Sequence, residues 1–470
     1  MKSLGKFVRW WARHKVVSLV AVLLLMVLIR LVWGWYVSRQ LENALSAIRA
    51  AGQPASFAEM KYSPVPDEEN AWLLQLKAAQ GLVNTNSPRN SNLNNTDPPY
   101  STAWEKLAVA SELANAKSFA LVARARGLTR AQFRKSGVGT WNMPYLYPCK
   151  QLANTLADGA EYAHSKHDEG LALDRVMDVL HLARSLRQDD FLVSQLVAIG
   201  VESLACHSAQ IIGRDLAVDP RVRESEEIKG KMRRIIGELL DERPAVEGWR
   251  RAMMDERLVM AEEYRKRCSS IWLVRPLGDR QAMRTLRAFE VIVESTKATN
   301  FPQVQVMYQA LDRNEEERQP VALYGPAKFA EDVPRYSRWF ADDWFRDSAA
   351  AERQFRALAE RRVTAAALAC QIYRAEMGKW PEKLSEVVPK YLPAVPVDPF
   401  QGDGRAVGYM IVRSAGEVNR PVVYFDPGGR QIPVPATQML GWFPVQTGRP
   451  QHPVRQYRDL APYPPSPTGN

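Results

Sequence analysis

The sequence predicts a mainly α-helical chain: a single N-terminal transmembrane helix, an irregular α-helical array, and a small α+β module towards the C-terminus. Three observations predict it. An apolar run from Val16 to Val37 is interrupted only by Ser18, Arg30 and Gly34. Apolar residues recur at spacings of three and four through most of the next three hundred positions. Near Asp347 the texture changes, and prolines, Asp-Pro and Asp-Gly pairs and two short β-rich stretches follow one long helical pattern. The expected organisation is a basic leader (1–15), the span (16–37), a helical body (38–346), the α+β module (347–430) and a Pro-rich tail (431–470).

Composition bounds the class. Of 470 residues, 46% are hydrophobic and 24% charged, which is globular rather than disordered. The net charge is +11, but Lys2, Lys6, Arg9, Arg13 and Lys15 crowd the leader with no acid among them. Elsewhere the two signs are mixed as on solvated helix faces, and no basic stripe suggests nucleic acid as a partner. The cysteines, Cys149, Cys206, Cys268 and Cys370, are far apart in sequence with no C-x-x-C pair; an oxidising compartment would permit one or two disulfides, and buried free thiols are the preferred reading.

At 1.5 Å per residue the run Val16–Val37 is long enough to cross a hydrocarbon core of about 30 Å. Trp10 and Trp11 precede it and Trp33, Trp35 and Tyr36 close it, an interfacial aromatic belt. Arg30 lies near the far end, from where its long side chain is expected to snorkel to the headgroups. The upstream bases hold the N-terminus in the cytoplasm, so the expected location is a bacterial inner membrane with the body in the periplasm. Bulky Leu31, Trp33 and Trp35 follow the apolar run with no small-x-small site, which favours an uncleaved anchor over a signal peptide. The apolar stretch at Phe191 is too short for a second span and reads as a buried helix.

In the body, Asp67 is expected to cap DEENAWLLQLKAA. Ser87–Tyr100 reads as an exposed Asn- and Pro-rich loop. A long helix from Ser101 should end on Gly127 in the left-handed conformation. Three helices within Gln151–Gly213, with small residues allowing close approach, suggest stacked hairpins without a kept repeat period. Further helices are expected over Val222–Glu242, Val246–Cys268 and Arg280–Thr296.

In the module, a helix over Ser348–Met377 should end on Gly378. A short helix follows from Pro381, with Leu384, Val387 and Val388 on its apolar face, then an extended crossing through Pro389, Pro393 and Pro396. Strands are expected over Val407–Val412 and Val422–Phe425. The order Tyr373, Gly378, Trp380-Pro381, Leu384, Val388-Pro389, Tyr391-Leu392, Pro396, Asp398-Pro399 and Tyr409 resembles the periplasmic domain of the major pseudopilin of type II secretion systems. The resemblance covers Ala366–Asp426. It implies a long helix packed on a small antiparallel sheet, and a protein partner in secretion or envelope assembly. It also implies a calcium loop, for which Asp398, Asp403 and Asp426 are the available oxygens; their alternative use is in turns. The span has no acidic residue and no pseudopilin peptidase site, and about three hundred residues separate it from the module.

No Walker A, H-E-x-x-H or G-x-S-x-G signature is present. Gly230-Lys231 lacks the phosphate loop, and Ser3 with Lys6 falls in the leader. His164 and His167 could share a metal with His181 or His207, but they also suit a helix C-terminus. Asp189-Asp190, Glu262-Glu263 and Asp342-Asp343 are ordinary surface acid pairs on sequence grounds. The last sits in WFADDWF, a docking or sugar-binding motif if its aromatics are exposed. No catalytic, cofactor-binding or metal residue is therefore assigned, and no cofactor. The expectation is a non-enzymatic scaffold or interaction protein, held to membrane lipid by its anchor helix and bound to a polypeptide partner. The alternative is an envelope hydrolase with its site in the helical body.

Overall fold

The computed structural model describes residues 15–60, 64–83, 85–93, 100–133, 143–216, 223–270, 272–317, 348–412 and 420–426. Residues 1–14 of the leader, the WFADDWF motif with Asp342-Asp343, and the tail lie outside them. The described chain is mainly helical, with one two-stranded antiparallel sheet. By packing it divides into two units, residues 1–62 with 253–293 and residues 63–252 with 294–470.

The first unit is built on α1 (Lys15–Ala50), one helix that continues past the apolar run. Its other elements come from α9 (Arg243–Ser269) and α10 (Arg275–Ser295), which contribute their portions between Met253 and Val293. Leu41, Ile48, Ala55, Ala261, Ala282 and Leu286 make a small apolar core. Arg257 ties down the turn after α1, donating to Gln53 Oε1 (2.7 Å) and to the Pro54 carbonyl (3.0 Å).

The second unit holds α2 (Ala71–Gln80), α3 (Thr102–Ala114), α4 (Ala116–Ala125), α5 (Leu146–Ser165), α6 (Glu169–Leu186), α7 (Leu192–Asp215), α8 (Arg223–Leu240), α11 (Phe301–Glu317) and α12 (Ala349–Met377). The α5–α6–α7 series matches the three expected stacked helices, and α7 is the buried apolar helix expected at Phe191. One continuous core joins them. Leu152, Leu156, Leu173, Val176, Leu182, Leu186, Ile212, Met232 and Ile235 meet Val363, Leu368 and Ile372 of α12, and Val387, Leu392, Val407 and Val423 beyond it. Alanines 365, 366, 367 and 369 are fully covered, because α12 lies close against α7 and α8. A methyl at Gly213 of α7 would sit 2.7 Å from Leu368 Cδ2.

Several boundaries differ from expectation for local reasons. Asn70, not Asp67, caps α2, its side chain accepting from Trp72 N (3.2 Å); Asp67–Glu69 form a 3₁₀ turn ahead of it. The helix expected to run from Ser101 to Gly127 breaks at Asn115, whose side-chain oxygen accepts from Val83 N (2.9 Å). Its exit is not a left-handed Gly127; Arg126 N bonds back to Val122 O (3.1 Å) and Leu128 N to Ala125 O (2.8 Å). Gly378 does end α12 in the left-handed region, at φ 69°. The short helix expected from Pro381 is a 3₁₀ turn, Leu384–Val387, with Glu386 accepting from Lys383 N (3.1 Å). The strands are β1 (Gly408–Val412) and β2 (Arg420–Tyr424), in a register pairing Met410 with Val422. Tyr409 anchors the hairpin, donating to the Pro381 carbonyl at 2.5 Å.

Candidate functional site: an exposed apolar helix and two buried charge clusters

From Val17 to Ile29 every large apolar side chain of α1 is exposed, and Leu31, Val32, Trp35 and Tyr36 continue the surface. Soluble proteins rarely leave an apolar surface of this extent uncovered. A shallow groove lined by Leu28, Ile29, Val32, Trp33, Trp35 and Tyr36 runs along it. By length and composition the helix can cross a membrane. Arg30 does not snorkel outward, as the sequence suggested. It is 9% exposed, donates from Nε to the Leu273 carbonyl (3.0 Å) and from Nη2 to the Trp272 carbonyl, and stacks 4.6 Å from the Trp272 ring. Two carbonyls that need donors thus capture the guanidinium before water can.

The first charge cluster grows from α5. Asp158 and Glu161, three residues apart, share one face of the helix, and Arg89 sits against both. Its Nη1 donates to Asp158 Oδ1, its Nη2 to Glu161 Oε1 (2.6 Å), and its backbone N to Asp158 Oδ2 (2.9 Å). Tyr100 Oη donates to Glu161 Oε2 (2.7 Å) and Ser208 Oγ to Oε1 (2.9 Å). Burial pushes the Asp158 carboxyl up against the pull of Arg89. At Glu161 burial acts the same way, but the charges of Arg89 and His207 outweigh it and hold the carboxyl below its ordinary value. The stretch expected to be an exposed loop is therefore partly inside: Ser87 is fully covered, and Asn90 donates to the Gln151 carbonyl and Thr155 Oγ1, both at 3.1 Å.

The second cluster links α6, α7 and α12. Arg187, fully buried just past α6, meets the Glu202 carboxylate of α7 through Nε (3.2 Å) and Nη2 (2.8 Å). Arg361 of α12 reaches the same carboxylate (3.1 Å). Its remaining donors go to the carbonyls of Glu238 (2.6 Å), Leu239 (3.0 Å) and Asp241 (2.9 Å), the orphan acceptors at the end of α8. Burial pushes Glu202 up, but the two arginines more than reverse this and its carboxyl ends below the usual range. The Glu360 carboxyl lacks such a cation: burial raises it to about 7, with Ser203 Oγ at 3.1 Å and Glu202 adding repulsion.

The residues singled out from the sequence are scattered and locally engaged. His167 takes φ 63° just past α5, and backbone bonds close the turn there: His167 N to His164 O (2.9 Å) and Asp168 N to Ala163 O (3.0 Å). His164 pairs with Glu169 (2.7 Å). His181 contacts Gln75 Nε2 through Nδ1 (3.0 Å) and the Leu128 carbonyl through Nε2 (2.7 Å), and burial pushes its imidazole below its ordinary value. Asp189 and Asp190 are not surface acids. Both are buried, Asp189 receiving Tyr145 Oη (2.7 Å) and Ser194 Oγ (2.5 Å), and Asp190 receiving Arg251 Nε (3.2 Å). Glu263 pairs with Arg267. Asp398 accepts from Phe400 N (2.9 Å) and Asp426 N (2.7 Å), and Asp403 from Arg405 N (3.0 Å), as turn residues do. Among the described residues no three His, Cys, Asp or Glu side chains gather as a metal would need. Cys149, Cys206 and Cys370 are buried free thiols; Cys268 is free and half-buried. Sequence reasoning missed Arg89, Arg187, Glu202 and Arg361, since nothing local marks an arginine as buried.

The described residues define a mainly helical protein carrying one N-terminal helix apolar and long enough to span a bilayer. No family model, curated protein or solved structure matches the chain.

Proposed function

We propose that the chain is a single-pass inner-membrane protein, N-terminus in the cytoplasm and body in the periplasm, acting as a non-enzymatic scaffold or interaction protein. The observation that carries this reading is the contrast between α1 and the rest. The helix leaves its apolar residues uncovered, whereas the buried acids of the body are neutralised or capped by their own neighbours. The convergent carboxylates a hydrolase needs do occur, as Asp158 and Glu161, but Arg89 fills the space between them. The five bases ahead of the span supply the orientation.

The segment from Tyr373 to Asp426 is the proposed pseudopilin-like docking unit, with a partner in secretion or envelope assembly. Left-handed Gly378, the Tyr409–Pro381 bond and the Asp398 turn give the resemblance a physical basis. Deleting residues 348–470 would strip α12 from the core, so the partner test uses single positions. A photocrosslinker at the exposed Val397 or Tyr424 in living cells should capture an envelope-assembly polypeptide from both sites. If neither site yields a polypeptide while the protein is folded and in the membrane, the scaffold reading goes. A reporter active only in the periplasm, fused after Gly429, should be active; an inactive fusion reverses the orientation.

A further inference from the structure

The corner between α9 and α10 presents Trp272 and Leu273 to the outside, 52% and 61% exposed. Singly, such residues are ordinary on a protein surface. Their position is not. Both belong to the unit that contains the anchor, and their carbonyls are the acceptors that hold Arg30. Arg30 lies seven residues before Val37, the end of the apolar run, or about 10 Å along the helix axis. The hydrocarbon half of one leaflet is about 15 Å thick. A corner bonded to Arg30 is therefore inside the slab whenever α1 spans it.

Three further features fit that depth. Non-helical backbone can enter hydrocarbon only if its polar groups are satisfied within the protein. Arg30 satisfies the two carbonyls at the apex, and Leu277 N bonds to Val274 O at 2.9 Å. In turn these carbonyls and the Trp272 ring offset the cost of placing a guanidinium within the span. Gly34 leaves the room: a methyl there would lie 2.5 Å from Arg30 Nη1 and 3.5 Å from Pro276 Cγ. Behind the apex the surface turns basic. Arg265, Lys266, Arg267, Arg275 and Arg280 are exposed around it. Arg265 is paired with Asp279 and Arg267 with Glu263, whereas Lys266 and Arg275 make no ion pair among the described residues. An apolar tip, an aromatic ring and a basic collar in sequence match the layers of a leaflet with anionic headgroups.

We propose that the α9–α10 corner is a second membrane-contacting element, inserting Trp272 and Leu273 among the acyl chains of the leaflet from which the anchor emerges. Lys266 and Arg275 meet anionic phospholipid headgroups beside it. The inference rests on α1 spanning the bilayer. A membrane grip at two points fixes the tilt and rotation of the first unit, which a lone helix would leave free.

The test uses the full chain with Cys268→Ser, reconstituted in bilayer discs of neutral and anionic phospholipid. A spin label is placed in turn at Leu273→Cys, at Met26→Cys in mid-span, and at the exposed Glu42→Cys beyond it. Collision with oxygen reports lipid, and collision with a water-soluble nickel chelate reports solvent. The labels at 26 and 273 should both favour oxygen, and the label at 42 the chelate. If 26 favours oxygen while 273 reads like 42, the corner does not insert and the inference is overturned on its own. If 26 itself reads as solvent, the anchor reading fails and this inference falls with it.

Discussion

Replacing Glu202 with alanine removes the one anion shared by two buried arginines. Side-chain exposure is 0% for Arg187, 5% for Arg361 and 3% for Glu202. Three charge-assisted hydrogen bonds disappear, two from Arg187 and one from Arg361. Arg187 keeps the Gln195 and Gln354 oxygens, and Arg361 keeps three carbonyls, so neither loses every acceptor. Both nonetheless stay buried without a counter-charge. Breaking a buried pair in this way costs about 3–5 kcal/mol, and the surviving neutral partners place this case near the lower end, ~3 kcal/mol. The half-exposed pair Glu294–Lys297 is the reference, where Glu294→Ala should cost about 0.2–0.5 kcal/mol. Since the chain has two units, the readout is hydrogen exchange of peptides from α7 and α12 in the full-length protein under increasing urea, not one global melt. There is also a pH signature. Glu202 is held below its unfolded value, so its contribution is complete above the ordinary carboxylate range and lost as pH falls through the folded value. The wild type should lose protection in that acid window and Glu202→Ala should not show the loss. If Glu202→Ala weakens α7 and α12 no more than Glu294→Ala does, the cluster contributes nothing and the argument from burial is wrong.

Glu360 has the opposite sign: its carboxyl is raised to about 7, so native protein holds a proton that unfolded chains release near 4.5, and stability falls between those values and levels off above. Glu360→Gln should flatten that slope and stabilise the protein at pH 8 by about 3 kcal/mol, measured by urea midpoints across the range. Arg89→Met strands Asp158 and Glu161, 1% and 0% exposed, and should cost about 3–5 kcal/mol by protection of α5. Arg89→Lys should recover only part, because an ammonium cannot span both carboxylates as the guanidinium does. Gly378→Ala should cost ~1 kcal/mol from its left-handed backbone alone, since no atom lies within 4 Å of the added methyl. Gly230→Ala, in the middle of α8 with equally open space, should stabilise by about 0.5–1 kcal/mol in the same denaturation assay.

The long apolar N-terminal helix, the α5–α6–α7 series and α12 were legible because each carries its own pattern, and Gly378 because only a left-handed residue ends that helix with its N–H on Arg374 O (2.8 Å). The break at Asn115 was not legible. Ser-Glu-Leu-Ala-Asn-Ala-Lys contains good helix formers, and what interrupts it is a hydrogen bond to Val83, thirty-two positions earlier. The same holds for Arg30, whose polar neighbours lie more than two hundred and forty residues away. Sequence reading sent it to the lipid headgroups, and that expectation fails because two distant carbonyls hold it instead.

The buried charges occupy the places where the apolar pattern carries least information. An interface such as α12 against α7 and α8, with alanines 365, 366, 367 and 369 covered, offers a nearly smooth surface. Side chains that short interlock little across the interface, so they resist sliding less than large ones would. A guanidinium that must meet one carboxylate and three particular carbonyls admits no such slip. Arg361 fixes α12 against Glu202 of α7 and the end of α8, and Arg89 fixes the Ser87–Leu93 segment against α5. Hydrophobic periodicity therefore tells which faces are inside, and the polar clusters tell how those faces align. The second kind of information belongs to pairs, here separated by 159 and 72 positions, and a single sequence does not display pairs.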